Sequence, residues 1–136
     1  MAARVTVLGI AATAVPAALV VTAPGADAAW RNVSSLHGGK VQLCKAHQSG
    51  DLYKIRMRLD NRNGAHTHIG GVSRTKNFKV VDSVEVRPAA GKISKTKSIL
   101  WRTRWNDSDQ WISAGIGDTN GQGHGGEVGF DQIPKC

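Results

Sequence analysis

One stretch of alternating residues constrains the fold of this chain more than any other. Residues 52–59 read LYKIRMRL, in which the apolar positions 53, 55, 57 and 59 alternate with three cations, Lys54, Arg56 and Arg58. A period of two places successive side chains on opposite faces of a β-strand. The stretch therefore predicts a strand with one face toward a core and a basic face toward water.

Six other segments have the character of short strands. Turn signals rich in Gly, Asn, Asp and Pro separate them, such as DNRNG at 60–64 and PAAGK at 88–92. About seven short strands predict an all-β fold, an antiparallel β-sandwich, with a small β-barrel as the alternative. The predicted strands span residues 40–44, 52–59, 66–72 (a weak edge strand), 78–87 (one strand, or two broken near Asp82), 97–105, 110–116 and 127–133.

Residues 1–28 have the layout of a secretory signal peptide. One cation, Arg4, precedes an apolar run over 5–21, and the segment ends in the A-x-A cleavage motif of residues 26–28. Pro16 and the cleavage motif favour a cleaved peptide over an uncleaved anchor helix. We therefore expect a secreted, extracellular protein with a single domain at 29–136 and no membrane span in the mature chain.

The two cysteines predict a disulfide bond. Cys44 and Cys136 are the only cysteines of the chain, and an even pair in an exported protein is typical of a disulfide. Such a bond would tie the last residue to a site near the start of the domain. We expect a structural role, because no C-x-x-C pattern indicates a redox pair.

Charge is unevenly distributed along the chain. The formal net charge is +8; residues 40–104 hold fifteen Lys and Arg against four Asp and Glu, whereas residues 105–136 hold one Lys against five Asp and Glu. A basic protein outside the cell has anionic polymers as candidate partners, including teichoic acid, acidic polysaccharide, nucleic acid and membrane surfaces. Solubility alone is the alternative explanation.

The candidate ligand-binding residues lie on two predicted strands and beside one turn. Arg102 and Arg104 alternate with apolar residues as the cations of 52–59 do, so neighbouring strands would join them into one basic patch. Protection of the sheet from aggregation is an alternative role for such cations. Trp111 follows a turn, and Trp30 lies near the predicted cleavage site; either indole could stack on a sugar ring or a base. The ligand-binding candidates are Lys54, Arg56, Arg58, Arg102, Arg104 and Trp111.

A Gly-rich segment at 117–126 predicts a flexible hairpin loop. Asn120, Gln122 and His124 are its candidate contact residues for a protein target. The segment from Asp118 opens like a calcium loop but has Gly129 where the bidentate Glu belongs. His66 and His68 form an H-x-H pair that, with His124, offers a weak candidate set for Zn²⁺ or Cu²⁺.

Motifs of the common enzyme classes are absent from the sequence. The chain has no G-x-S-x-G, no H-E-x-x-H and no phosphate-binding loop, and its carboxylates are few. Asp118 and Glu127 are conceivable partners for acid–base chemistry, although their spacing does not call for it. These observations favour a non-catalytic protein without a cofactor.

The strand–turn pattern is similar to that of a known class of modules. In YKIRMRLDNRNGAHTHI a strand ends in an Asp-Asn turn, and in VRPAAGKISKTKSILW a Pro-x-x-Gly-Lys turn precedes a strand. This pattern resembles extracellular immunoglobulin-like modules, which implies a β-sandwich and transfers no functional residue. The predicted signal peptide together with the C-terminal Cys also resembles small secreted actinobacterial proteins.

The leading functional hypothesis is a secreted module whose basic sheet face engages anionic surface polymer, such as cell wall or acidic polysaccharide. The alternative is a secreted effector, a hydrolase inhibitor or an antimicrobial, that presents the Gly-rich loop to a protein target. Neither hypothesis involves specific nucleic-acid recognition.

Overall fold

The computed structural model describes residues 29–136, and the predicted signal peptide lies outside them. Within these residues lie eight β-strands and, between or after them, short 3₁₀ turns at Thr103–Trp105 and Phe130–Gln132. The described part contains no helix with the length and apolar character needed to cross a membrane. The strands are β1 (Arg31–Leu36), β2 (Gly39–Ser49), β3 (Leu52–Asp60), β4 (His68–Lys76), β5 (Lys79–Val86), β6 (Lys97–Arg102), β7 (Gln110–Asp118) and β8 (Gly123–Val128).

The strands form two antiparallel four-stranded sheets that pack face to face. Sheet A has the order β1-β2-β3-β6, and sheet B has the order β5-β4-β7-β8. The predicted β-sandwich is confirmed, with eight strands instead of about seven. Immunoglobulin constant domains place their second strand beside the fifth, whereas β2 lies beside β3 here. The likeness to immunoglobulin modules is thus one of layer architecture and not of strand order.

Four predicted segments differ from the observed strands. The strand predicted at 40–44 continues to Ser49 in β2. The predicted edge strand at 66–72 is β4, which lies centrally between β5 and β7. The strand at 97–105 ends at Arg102, where a 3₁₀ turn begins. The last strand is Gly123–Val128 instead of 127–133, and β1 was not predicted, because Val33 and Leu36 are its only apolar residues.

The core lies between the sheets and consists of the apolar residues of both inner faces. On β3 the side chains of Ile55, Met57 and Leu59 have no solvent exposure, as the alternation predicts. The largest fully buried side chain is Trp101 of β6. Its ring stacks against Phe130 and meets Trp105 edge-on, so these aromatic rings close one end of the sandwich.

Gly70 allows the two sheets to approach each other closely. It lies in the middle of β4, and a Cβ atom at this position would stand 2.7 Å from Leu59 Cδ1 and 2.8 Å from Val41 Cγ2. Both neighbours are buried core side chains of sheet A. Glycine is therefore required here by packing, although it weakens a strand interior on propensity alone.

The free edges of β5 and β6 are linked by side chains. The backbone N–H of Leu100 on β6 donates to Asp82 Oδ2 on β5 at 3.2 Å. Lys97 Nζ on β6 donates to the backbone carbonyl of Glu85 on β5 at 2.8 Å. Each link satisfies a backbone group that an open sheet edge would otherwise present to another chain.

The predicted disulfide between Cys44 and Cys136 is confirmed, with a Cα–Cα distance of 5.0 Å. The end of the chain runs alongside β2, where Lys45 N–H donates to the Pro134 carbonyl and Cys136 N–H donates to the Lys45 carbonyl. The bond closes a sequence separation of 92 residues. Two hydrogen bonds and one covalent bond therefore fix the last three residues to sheet A.

We expect the substitution Cys136→Ser to lower the free energy of unfolding by up to about 4–5 kcal/mol, because it releases a long closed loop in the unfolded chain. Cys136 is exposed, so the substitution leaves the core packing unchanged. Urea unfolding of the variant and of the wild type, each with and without reductant, measures the effect. A wild type that unfolds at the same urea concentration with and without reductant would contradict this role.

We expect Gly70→Ala to destabilise the fold by roughly 1–3 kcal/mol through overpacking against Leu59 and Val41. Gly126→Ala is the matched control, because a Cβ atom there meets nothing within 4 Å and its backbone is not left-handed. The control should change stability by about 0.5 kcal/mol or less. Thermal unfolding followed by circular dichroism compares the two; equal effects would show that the sheet spacing does not depend on Gly70.

Candidate functional site

The outer face of sheet A carries the predicted row of cations. Lys54, Arg56 and Arg58 alternate with the buried residues of β3, so all three side chains lie on the solvent side of a central strand. Lys54 and Arg56 are exposed, and Arg58 is half-buried. We refer to Lys54, Arg56 and Arg58 as the basic face.

Uncharged residues lie directly across from each member of the basic face. Lys54 is paired with Ala46 on β2 and Leu100 on β6. Arg56 is paired with Cys44 and Ser98, and Arg58 is paired with Gln42. Like charges placed directly opposite each other destabilise a sheet, and this register avoids them. The three cations can therefore lie on one face without a direct cross-strand repulsion.

Arg58 is held in place by groups that the sequence analysis did not connect to it. Its Nε donates to Gln42 Oε1 at 2.8 Å, and Gln42 Nε2 donates to Asn32 Oδ1 at 2.8 Å. The guanidinium lies over the ring of Trp30, 4.5 Å from the centroid. This cation–π contact connects the start of the domain to the basic face, so Trp30 orients an arginine here.

Strands β3 and β6 are neighbours, as the predicted patch requires, and Arg102, which is paired with Leu52, lies on the same outer face as Lys54. Both Arg102 and Arg104, however, lie beside a carboxylate. Arg102 Nη1 donates to Asp51 Oδ1 at 2.7 Å, and Arg104 Nε lies 3.7 Å from Asp51 Oδ2. Arg104 belongs to the 3₁₀ turn after β6, so the predicted alternation stops before it. Both guanidinium groups share one carboxylate, which reduces their contribution to the positive potential.

A shallow groove lies on the outer face of sheet B. Its volume is about 490 Å³, and its floor is formed by the small residues Gly71, Ser73, Ser113 and Gly115 of the two central strands. None of the residues that line it is Lys or Arg. We refer to this depression as the sheet B groove.

One row of polar side chains crosses the sheet B groove. The strand register places Ser83 opposite Ser73, Ser73 opposite Ser113, and Ser113 opposite Glu127. Glu85 follows in the next row, where Arg87 Nε donates to its carboxylate at 2.8 Å. Neighbouring strands are about 4.8 Å apart, so three hydroxyls and one carboxylate form a line across the sheet.

Trp111 forms one end of the sheet B groove. The indole is half-buried, and the ring of Phe78 meets it edge-on with 5.4 Å between the centroids. Trp111 and Glu127 also line a second depression of about 400 Å³, which continues toward Asp107 and Asp131. Of the predicted ligand-binding residues, Trp111 thus lies on the opposite side of the sandwich from the basic face.

The Gly-rich segment is a tight hairpin between β7 and β8 and not a long flexible loop. Asp118 Oδ1 accepts hydrogen bonds from the N–H groups of Asn120 at 2.9 Å and Gln122 at 3.0 Å. The strands continue on both sides, so His124 lies within β8. Asn120 and Gln122 therefore have their backbone donors directed at Asp118, and their side chains are exposed.

The candidate metal ligands do not come together. His68 is fully buried, with Nδ1 2.7 Å from Asn61 Oδ1, whereas His66 and His124 are exposed. Within residues 29–136 no group of three or more His, Cys, Asp and Glu side chains could hold a metal ion. The predicted pairing of His66 and His68 on one side of a strand is wrong, because β4 begins only at His68.

The two carboxylates considered for acid–base chemistry are separated. Asp118 lies at the end of β7 among inward-facing residues, with its side chain 1% exposed. Glu127 is paired with Ser113 on the outer face. Five residues of strand, about 17 Å, separate the two rows, so the two carboxylates cannot act on one substrate bond.

Asp118 is a buried carboxylate at the hairpin turn between β7 and β8. Burial raises the pKa of Asp118, but the N–H donors of Gln122 and Asn120, with His37 and His68 nearby, outweigh burial and hold the pKa below its usual value. The imidazole Nδ1 of His37 lies 3.7 Å from Asp118 Oδ2. The negative charge of Asp118 therefore stabilises the hairpin turn.

Comparison of the chain with protein-family models, with curated proteins and with solved structures found no match.

We expect Asp118→Asn to have a lower Tm than the wild type at neutral pH. In acid the two proteins should have similar Tm values. Asparagine keeps an oxygen acceptor for the turn but removes the charge. A carboxyl with a lowered folded pKa contributes stability above its unfolded pKa of about 3.8, and this contribution disappears as the pH falls through the folded pKa. The difference in Tm between wild type and variant should thus be constant above about pH 5 and shrink below it.

Asp109→Asn is the matched control for this pH series, because Asp109 is exposed and its carboxylate makes no hydrogen bond within residues 29–136. Its difference from wild type should stay small throughout. A difference for Asp118→Asn that is unchanged from pH 7 to acid would contradict the assigned role.

Proposed function

We propose that this protein is an exported, non-catalytic binding module that engages an anionic surface polymer through the basic face of sheet A. The observation that carries the proposal is the row formed by Lys54, Arg56 and Arg58 on one face of a central strand. Wall teichoic acid and acidic polysaccharide present negative charges along a linear chain.

The spacing of the row suits an extended polyanion. Alternate residues of an antiparallel strand lie about 6.8 Å apart, so the three cations span roughly 14 Å. A linear polymer can lie along β3 and contact each of them in turn. Binding of this kind is driven largely by counterion release and weakens steeply with salt.

The environment of Arg58 favours binding over a purely solubilising role. Trp30 and Gln42 hold the guanidinium in one position, so less side-chain entropy is lost when a ligand binds. Cations that serve only solubility need no such support. The uncharged cross-strand partners also let the three charges converge on one ligand.

Two independent features support an extracellular location for this protein. The Cys44–Cys136 disulfide is of a kind that persists in oxidising compartments. Residues 1–28 have the layout of a cleaved signal peptide. Outside the cell, the net charge of +8 attracts the protein to the anionic polymers of the cell surface.

The alternative, a protein effector acting through the Gly-rich segment, has less support. Such an effector presents a rigid protruding loop to its target. Here strands occupy most of the segment, and four residues, 119–122, connect them. We therefore place the proposed contact on the basic face.

Neutralising two members of the basic face should weaken binding and its salt dependence together. We expect Lys54→Gln/Arg56→Gln to lower the slope of log K against log salt by roughly 1.5, because each cation releases somewhat less than one counterion. Co-sedimentation of the protein with isolated cell walls, with and without teichoic acid and over a salt series, measures this.

The double variant Lys76→Gln/Lys79→Gln is the matched control. It removes the same charge from two exposed lysines at the tip of the β4–β5 hairpin in sheet B, and its salt slope should stay close to that of the wild type. If both double variants lost the same affinity for cell walls, the binding would depend on net charge and not on the basic face. Absence of wild-type binding at low salt would disprove the proposal.

A further inference from the structure

The sheet B groove has the chemistry of a second binding site, distinct from the basic face. Its polar row consists of Ser83, Ser73, Ser113 and Glu127, one residue from each strand. None of these four side chains makes a hydrogen bond or an ion pair within residues 29–136. The row therefore presents three free hydroxyls and one free carboxylate to a ligand.

The floor of the groove allows a flat ligand to lie directly on the sheet. Gly71 and Gly115 are adjacent in the register, and Gly125 continues their row onto β8. A Cβ atom at Gly125 would stand 2.5 Å from the Ala114 carbonyl oxygen, so β8 must pass close to β7. These glycines keep the floor low between Glu85 on one side and Glu127 on the other.

The turn that carries Phe78, at the aromatic end of the groove, has a strained backbone. Asn77 and Phe78 form the turn between β4 and β5, with φ angles of 48° and 61°. A two-residue hairpin turn with both φ angles positive favours Asn-Gly, and a bulky residue at the second position is strained. Phe78 is nevertheless 91% exposed and lies against Trp111. Its ring contributes little to the core, so the fold does not need it.

The charge of the groove selects against the ligand of the basic face. Glu85 and Glu127 are its charged lining residues, and a polyanion would be repelled by them. Aromatic rings pack against the apolar face of a pyranose, serine hydroxyls exchange hydrogen bonds with sugar hydroxyls, and a carboxylate pairs with an amino group. An amino sugar offers all three partners in one ring.

We propose that the sheet B groove binds a glycan of hexosamine units with free amino groups, with a pyranose on Trp111 and an amino group at Glu127. Phe78 extends the aromatic surface at that end, and the serine row holds the hydroxyls of the same chain. The protein would then contact a charged polymer and a sugar chain on its two opposite faces.

Calorimetric titration of the purified protein with a short β-linked glucosamine oligomer tests this inference. Glu127→Gln should weaken binding about ten-fold, because a charge-assisted hydrogen bond becomes a neutral one. Trp111→Ala should weaken it at least as much. The control variant Asp109→Asn removes an exposed carboxylate that does not line the groove and should leave the affinity unchanged.

Phe78→Gly separates a binding role from a structural one. Glycine relieves the left-handed backbone strain, so the variant should have a higher Tm than the wild type and yet bind the glucosamine oligomer several-fold more weakly. A variant that is more stable and binds equally well would remove Phe78 from the site. Because this variant folds at least as well as the wild type, weakened binding cannot be ascribed to unfolding.

Further outcomes would overturn the inference. The amino-group contact would be excluded if the N-acetylated oligomer bound as tightly as the oligomer with free amino groups and if Glu127→Gln did not change its affinity. If the protein dimerised in a concentration-dependent way and Trp111→Ala abolished the dimer, the sheet B groove would be a contact with a second copy of the chain and not a glycan site. The two proposals can fail independently of each other. Lys54→Gln/Arg56→Gln should leave the binding of the glucosamine oligomer unchanged, and Glu127→Gln should leave the binding of teichoic acid unchanged.

Discussion

The close contact of the two sheets across Gly70 is the constraint on which the remaining structure depends. Leu59 and Val41 occupy the space that a side chain at position 70 would need, and the core forms around this contact. Since the packing uses both inner faces, the polar residues of the strands lie on the outer faces, at the edges or at the ends. The two outer faces are therefore the large surfaces that remain for recognition, and they differ in chemistry.

The difference between the faces follows only in part from the order of charges along the chain. Strand β3 and its neighbours come from the basic part of the sequence, whereas β7 and β8 come from the acidic C-terminal part and form half of sheet B. The other half of sheet B, β4 and β5, comes from the basic part, but the lining of its groove holds Glu85 and Glu127 and no Lys or Arg. The last residues of the chain lie on sheet A, where the Cys44–Cys136 bond holds them.

The accuracy of the sequence predictions varied with the strength of the local signal. Strand β3 alternates without a break, and its predicted end lies within one residue of the observed one. Strand β8, GHGGEV, has the composition of a loop, and two of its glycines, Gly123 and Gly125, are set by the close approach of β7 and not by strand propensity. The strand before Trp105 ends early because a 3₁₀ turn brings that ring against Trp101 and places it under the guanidinium of Arg74.

By itself, the sequence determined the class of fold, the disulfide partners and the common face of Lys54, Arg56 and Arg58, because each of these depends on local period or on the number of cysteines. Only the tertiary structure decided that Asp51 pairs with Arg102, that Trp30 covers Arg58, and that three serines line up with Glu127 across four strands. These arrangements join residues that are far apart in the chain. They are set by strand order and register, which packing selects from the whole chain at once.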